Sequence, residues 1–384
     1  MTPELTKSQV IQDQLADLNE TLEKEKVQLT PEVEEYVREH VRALQDKLQA
    51  GQDVYESDLE FIEKVKLWVW MPKEWREKYP NIDEMLKSEK MKDVTMLGAY
   101  EASKRNISPK QWLDLLYIAE SAGKSKKWID ETFKFPGEGK IHVEEDLSLM
   151  DCKSLTSLPE RISFGGSLWL TSCKYLTSLP DDMTVKGSLY LASCDSLTSL
   201  PKGLKVGGEL FLSDIDGISS IPDDLMVGKN LDISRCEKLT KLPNGLKVKG
   251  KLNLSNCTSL TLLPEGLDVG GDLNLGNCTN LIKLPEGLKV GGSLDLYKCA
   301  NLISLPNGLK LGRNLGLGGC DSLTSLPNGL EVTNLDIRSC PKLTSLPEDL
   351  IVRGTLYLSE RRPFKEDVKR LYLQGKIGEV NYCP

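Results

Sequence analysis

The chain has 384 residues and a formal net charge of −8, and 57 acidic residues face 49 basic ones. The acidic excess sits mostly in residues 1–132, which hold 27 Asp/Glu and 20 Lys/Arg, a balance that argues against general nucleic-acid binding, where clustered positive charge is needed. No stretch approaches the roughly 20 apolar residues of a membrane helix, and the polar opening MTPELTKSQ lacks the basic-then-apolar layout of a cleavable signal; a cytoplasmic protein without membrane contact is expected, export as an effector without a cleavable signal being the other possibility.

Residues 5–29 carry Ile11, Leu15, Leu18 and Leu22 at helical spacing. Thr30-Pro31-Glu32 is a helix start, a polar cap followed by proline at the first helical position. Val33, Val37, Val41, Leu44 and Leu48 then line one face up to Gly51. A third helix is expected from Ser57, where Glu60 completes a capping box, with Trp68, Trp70 and Trp75 near Pro72 as core. Residues 1–105 therefore read as an all-helical domain.

Residues 106–132 read as a helical hairpin. Ser108-Pro109 starts its first helix, and Ala119, Gly123 and Ile129 stand at helix-turn-helix spacing with Lys124, Lys126 and Lys127 nearby. One reading makes residues 108–133 a DNA-binding unit of a regulator. The other makes the hairpin a cap over the first coil of the repeat array that follows, since a solenoid must cover its exposed end. Asp130 and Glu131 in the would-be recognition helix favour the cap.

From residue 133 the sequence repeats. Prolines recur at positions 159, 180, 201, 222, 243, 264, 285, 306 and 327, a constant step of 21, and Pro347 follows after 20. Cysteines keep the same beat from Cys152 to Cys340, with Ile215 the one exception. The unit is GG-x-L-x-L-x-x-C-x-x-L-T-x-L-P-x-G-L-x-V. Its L-x-L core alternates as a strand with one buried face should, and eleven such pairs occur, from Leu147/Leu149 to Leu356/Leu358. Stacked copies bury a continuous core that one copy cannot. Pairs such as Leu204/Val206 and Leu246/Val248 are expected on the opposite wall. L-P-x-G is expected to form a type I turn with Pro second and Gly fourth. Gly pairs such as Gly207-Gly208 and Gly270-Gly271 are expected to supply positive φ where the chain re-enters the next strand.

The L-x-L-x-x-C-x-x-L-T-x-L-P pattern resembles the leucine-rich-repeat superfamily, with Cys in the position where many members have Asn. The short period and L-P signature are similar to the bacterial repeats of secreted effectors fused to ubiquitin ligases. The resemblance spans residues 133–360 and implies an α+β chain, an eleven-coil solenoid behind a helical domain. It does not extend to ligase activity, because the one cysteine outside the ladder is Cys383 in the tail. Residues 361–384 read as a C-terminal cap and tail, with Arg361–Gln374 helical and Phe364, Val368 and Leu371 facing the last coil.

A spacing of 21 residues places one thiol per coil, unlike the closely spaced pairs of a zinc site. The cysteines are expected as a buried ladder, and no metal or other cofactor is expected. Two histidines, His40 and His142, are the only rings on which a Ser–His–Asp or Cys–His arrangement could be built, and no phosphate loop, zinc-protease or dinucleotide motif is present; catalysis is not expected. Binding is. Between the strand leucines, the outward column runs Ser148, Trp169, Tyr190, Phe211, Asp232, Asn253, Asn274, Asp295, Gly316, Asp336, Tyr357. Its neighbours add Glu209 and Asp272 on one side and Tyr297 and Arg338 on the other. Exposed aromatics are typical binding anchors, although cross-strand aromatic packing needs no ligand. Trp169, Tyr190, Phe211, Glu209, Asp232, Asp272, Asp295 and Tyr297 are the candidate site for a protein partner; a purely structural repeat protein is the remaining reading.

Overall fold

The computed structural model describes residues 31–50, 101–102, 104–360 and 364–383. They belong to two compact units, one of Met1–Tyr117 with Gly137–Gly139, the other of Ile118–Pro136 with Lys140–Pro384. In the first, helix α1 spans Pro31–Gln49, as the Thr30-Pro31 start predicts. Val41 and Leu44 are buried on it, while His40 is exposed. The helices expected over residues 5–29 and from Ser57, and the Trp68, Trp70 and Trp75 cluster, lie outside the described residues. Helix α2, Pro109–Ser121, starts in this unit with a reciprocal capping box. Ser108 Oγ accepts the Gln111 N–H at 3.1 Å, and Gln111 Oε1 accepts the Ser108 N–H at 2.8 Å. Beside it, the Arg105 guanidinium lies 4.1 Å over the Trp112 ring and pairs with Glu101 at 2.9 Å.

The second unit holds the last turn of α2 and helix α3, Lys126–Thr132. The Gly123 N–H reaches Glu120 O and the Lys124 N–H reaches Ala119 O, with Gly123 at φ +62°. This is a Schellman ending, and it reverses the chain between the helices. Ile118, Ala119, Ile129 and Phe133 are buried. The Trp128 ring meets Phe133 edge to face at 5.5 Å. Ser121 Oγ is 2.6 Å from Ser154 Oγ on the first coil.

The rest of this unit is a parallel-strand solenoid of eleven coils with the 21-residue period. Coils are numbered here by their L-x-L strands, coil 1 beginning at Leu147 and coil 11 at Leu356. The L-x-L strands pair in parallel and in register, Leu168 with Leu189 and Leu231 with Leu252 for example, giving one first sheet. Every leucine of the L-x-L pairs from coil 1 to coil 11, or the isoleucine that replaces it, is buried. Each is worth roughly 1.5–3 kcal/mol of apolar burial. The opposite wall forms a second sheet in two parts. Its first part runs through Lys140–Val143, Ile162–Phe164, Thr184–Val185, Lys205–Val206 and Met226–Val227, and its second from Lys247–Val248 to Lys310–Leu311. The strand Phe133–Gly137 lies at the edge of the first part, next to Lys140–Val143.

Two turn readings need correction. The Gly of L-P-x-G is left-handed, as at Gly203 (φ +67°), Gly245 (φ +70°) and Gly287 (φ +72°). The Leu246 N–H bonds Pro243 O at 3.3 Å, so Pro is first and Gly third in the turn. A positive φ at the third position belongs to a type II turn rather than type I. The Gly pairs, by contrast, are absent from the left-handed residues. They are glycine because successive coils touch there through their backbones. A Cβ on Gly165 would stand 2.6 Å from Glu144 O, and one on Gly270 would run into Lys249 O. The residue before each ladder Cys was not foreseen as special. From Asp151 through Ser172, Asn256 and Lys298 to Ser339 it takes φ between +53° and +62° at the end of the strand, and +80° at Gly319 before Cys320.

At the far end, helix α4 is Lys365–Leu373, with Phe364, Val368 and Leu371 buried as expected. The tail is more ordered than its sequence suggests. Ile377–Cys383 is a strand, parallel to the nine-residue strand Ile351–Ser359 that joins both walls of the solenoid.

Candidate binding face

The nine ladder cysteines are buried and unpaired by disulfides, and Cys383 is half-buried. Eight of them carry a bond that explains the residue type. Cys173 donates its S–H to Leu149 O at 3.0 Å, and each later thiol does the same to the strand of the coil before, down to Cys340 and Leu317 O at 3.1 Å. A thiol is small enough for the packed corner and still offers a weak donor. Burial pushes thiols along the ladder up from 9.0, to about 11 at Cys236 and about 12 at Cys194, Cys278 and Cys320, while at Cys152 the hydrogen bond with Cys173 outweighs burial and lowers it. The raised thiols are inert as nucleophiles near neutral pH. The ladder is scaffold.

The open face of the first sheet is built on that scaffold. Strand register brings Trp169, Tyr190 and Phe211 side by side on coils 2, 3 and 4. Trp169 and Tyr190 have ring centroids 5.4 Å apart and planes 4° from parallel; Tyr190 and Phe211 are 4.8 Å and 7° apart. These separations match the strand spacing of about 4.8 Å, so the rings stand like plates across the sheet. All three are half-buried. Their faces are spent on one another, and they present edges outward, the positive rim of the ring quadrupole. Only the stack's ends offer ring faces, Trp169 beside exposed Ser148 and Phe211 beside Asp232.

The Asp/Asn run further along has a local cause that the sequence reading missed. Asp232 Oδ1 accepts the Ser234 N–H at 2.9 Å, and Asn253, Asn274, Asp295 and Asp336 each accept the N–H two residues on. These are Asx turns that end the strand. The Asp232 carboxylate also takes the Ser234 hydroxyl at 2.6 Å and the Asn253 amide at 3.1 Å. Tyr297 is exposed, with Lys298 Nζ 5.1 Å over its ring.

Glu209 and Asp272 lie in the column before the first leucine. There the side chains mostly accept the N–H of the next coil, as Asn230 does from Lys251 at 2.8 Å. Asp272 takes the Ser293 N–H at 2.9 Å and pairs with Lys251 Nζ at 2.8 Å. The Lys251 ammonium, then the Ser293 N–H, hold its carboxyl below the usual carboxylate range. Glu209 accepts the Asn230 amide. Of the eight candidate residues, the three aromatics form one contiguous surface. Asp232, Asp272, Asp295 and Glu209 serve the sheet's own hydrogen bonds while leaving the face acidic, and Tyr297 stands apart on coil 8.

His142 and Ser163 meet on the second sheet, Nδ1 to Oγ 2.9 Å, at a cleft of about 780 Å³ shared with Glu144, Arg161 and Asp182. The Ser163 hydroxyl is also 3.3 Å from Ile141 O, which accepts its proton when His142 Nδ1 is the donor to Oγ. The pair sits at a regular cross-strand register position. Among the described residues no group of three or more His, Cys, Asp or Glu is placed to hold a metal ion, and no helix is long and apolar enough to cross a membrane. Compared with known proteins, the sequence matches no family model and no curated protein.

Proposed function

We propose that the chain is a leucine-rich-repeat protein that binds a protein partner through the open face of its first sheet and performs no catalysis. The observation that supports this reading is the aromatic stack. Three large rings on consecutive coils stay half exposed where every other coil carries a polar or small residue, except Tyr357 on the last. Buried stacking would suffice for stability; partial exposure leaves a rim suited to the desolvated centre of an interface. Asp232 and Glu209 beside it, and Asp295 further along the face, favour a basic partner surface and would raise the association rate. Membrane and nucleic-acid partners are not part of the reading, and the hairpin of α2 and α3 is assigned to capping.

The test is W169A/Y190A/F211A. Proteins retained by the immobilised wild-type chain and by this variant are compared after both show the same circular dichroism spectrum. Loss of the retained partner from the variant is expected, and equal retention refutes the assignment of the face.

A further inference from the structure

The second sheet is interrupted on its outer side, between Met226–Val227 of coil 4 and Lys247–Val248 of coil 5. One turn earlier, Asp224 replaces the turn glycine found at Gly203 and Gly245, and unlike them it is not left-handed. The strand that follows packs less deeply, with Leu225 and Val227 half-buried, whereas Leu204, Val206, Leu246 and Val248 are buried. Met226 is 59% exposed at this point. A cleft of about 640 Å³ opens along the interruption, with Leu225, Met226 and Val227 among its lining residues.

Lys186, Lys205, Lys247 and Lys249 also line this cleft, and Asp223 is its one acidic residue. Lys229 is exposed on the same coil as Met226. Among the described residues none of these five lysines is in an ion pair, whereas Lys251 close by in sequence is bound to Asp272. Unpaired ammonium groups brought together repel one another, and the arrangement is relieved by an incoming anion.

We propose that this cleft is a second binding site, taking an extended acidic peptide segment of a partner protein, with carboxylates on the lysines and an apolar side chain over Met226. A nucleic acid fits less well. Its evenly spaced phosphates need a continuous basic track, and this one is short, with Asp223 and Asp268 beside it and an apolar floor. Discrete carboxylates alternating with apolar groups match both the lysines and the floor. The proposal stands on the second sheet alone and does not depend on the reading of the first.

The probe is a fluorescein-labelled nonapeptide alternating Glu with Leu and Ser, titrated against the full chain by fluorescence anisotropy at low and at physiological salt. Saturable binding that weakens with salt is expected. K205E/K247E is expected to reduce affinity by about tenfold or more, and K186Q/K249Q, which only neutralises charge, by a smaller factor. Both pairs are exposed, so circular dichroism should be unchanged; if the charge-reversed pair misfolds, the neutralised pair carries the test. W169A/Y190A/F211A should bind the probe as the wild type does. The proposal is overturned if the peptide does not bind, if both lysine pairs leave its affinity unchanged, if the aromatic variant abolishes binding, or if a single-stranded oligonucleotide of similar length binds more tightly and displaces it.

Discussion

Two glycines that look equivalent in the repeat should fail for different reasons when replaced. Gly287 is left-handed at φ +72°, and a Cβ added there meets nothing within 4 Å. Gly287→Ala therefore bears only the left-handed penalty of about 1–2 kcal/mol. About 0.4–1 kcal/mol of this is returned by a less flexible unfolded chain, leaving a net cost of about 1 kcal/mol. Gly270 has no unusual φ, but its Cβ would enter the Lys249 carbonyl oxygen. That atom is backbone, so no rotamer change relieves it and the two coils must separate, an overpacking cost of about 1–3 kcal/mol. Asn tolerates the left-handed region, so Gly287→Asn should recover most of the loss, while Gly270→Asn should be worse than Gly270→Ala. Urea midpoints of the four full-length variants by far-ultraviolet circular dichroism give the ranking, midpoints being preferable to extrapolated energies because repeat arrays need not unfold in one step. If Gly287→Ala is the more damaging change, or if Asn rescues position 270, the assignment of close approach to one glycine and conformation to the other is wrong.

In the native protein Cys383 should react promptly with a thiol reagent and the nine ladder thiols slowly, all ten becoming available in denaturant. Because the thiols of Cys194, Cys236, Cys278 and Cys320 are raised from 9.0 to about 11–12, the unfolded chain loses these protons first as pH rises. Their stabilisation is whole below pH 9 and is lost on the way to 12, so the melting temperature should fall over that window, and a flat profile would argue against burial. Leu170→Ala should cost about 2–5 kcal/mol through its cavity. Tyr190→Ala should cost less, about 1–3 kcal/mol, because it removes two ring contacts of roughly 0.5–1.5 kcal/mol each; chemical denaturation of both variants decides the order. A fragment of residues 106–384 should fold without residues 1–105, as coils contact mainly their neighbours, and an aggregated fragment would move the boundary.

The solenoid was legible because its signal is strictly periodic. Leu168/Leu170 and their ten counterparts, with Pro every 21 residues, leave little choice of architecture. What stayed hidden depends on backbone geometry that residue types only hint at. Gly203 and Gly207 are the same letter, yet one is needed for its φ and the other for the atom opposite it. The Asp/Asn column could be read as a binding signal because outward direction is periodic, whereas the N–H two residues ahead of Asp295 becomes visible only in three dimensions. The interruption after Met226 had two clues in the sequence, Asp224 for Gly and Met226 where Lys205 and Lys247 stand in the neighbouring coils. Neither shows by itself that the sheet would open. The Ile377–Cys383 strand escaped because its own sequence lies outside the period, although it pairs with the last coil.

The most direct test of the binding face is site-specific photocrosslinking. A photoreactive phenylalanine analogue is placed at Tyr190, between Trp169 and Phe211, and separately at Lys310 on the second sheet. The first-sheet assignment predicts a discrete protein adduct from position 190 that is absent from position 310 and disappears when Trp169 and Phe211 are also changed to Ala. An adduct from position 310 alone, or one at position 190 that survives loss of both neighbouring rings, would contradict it.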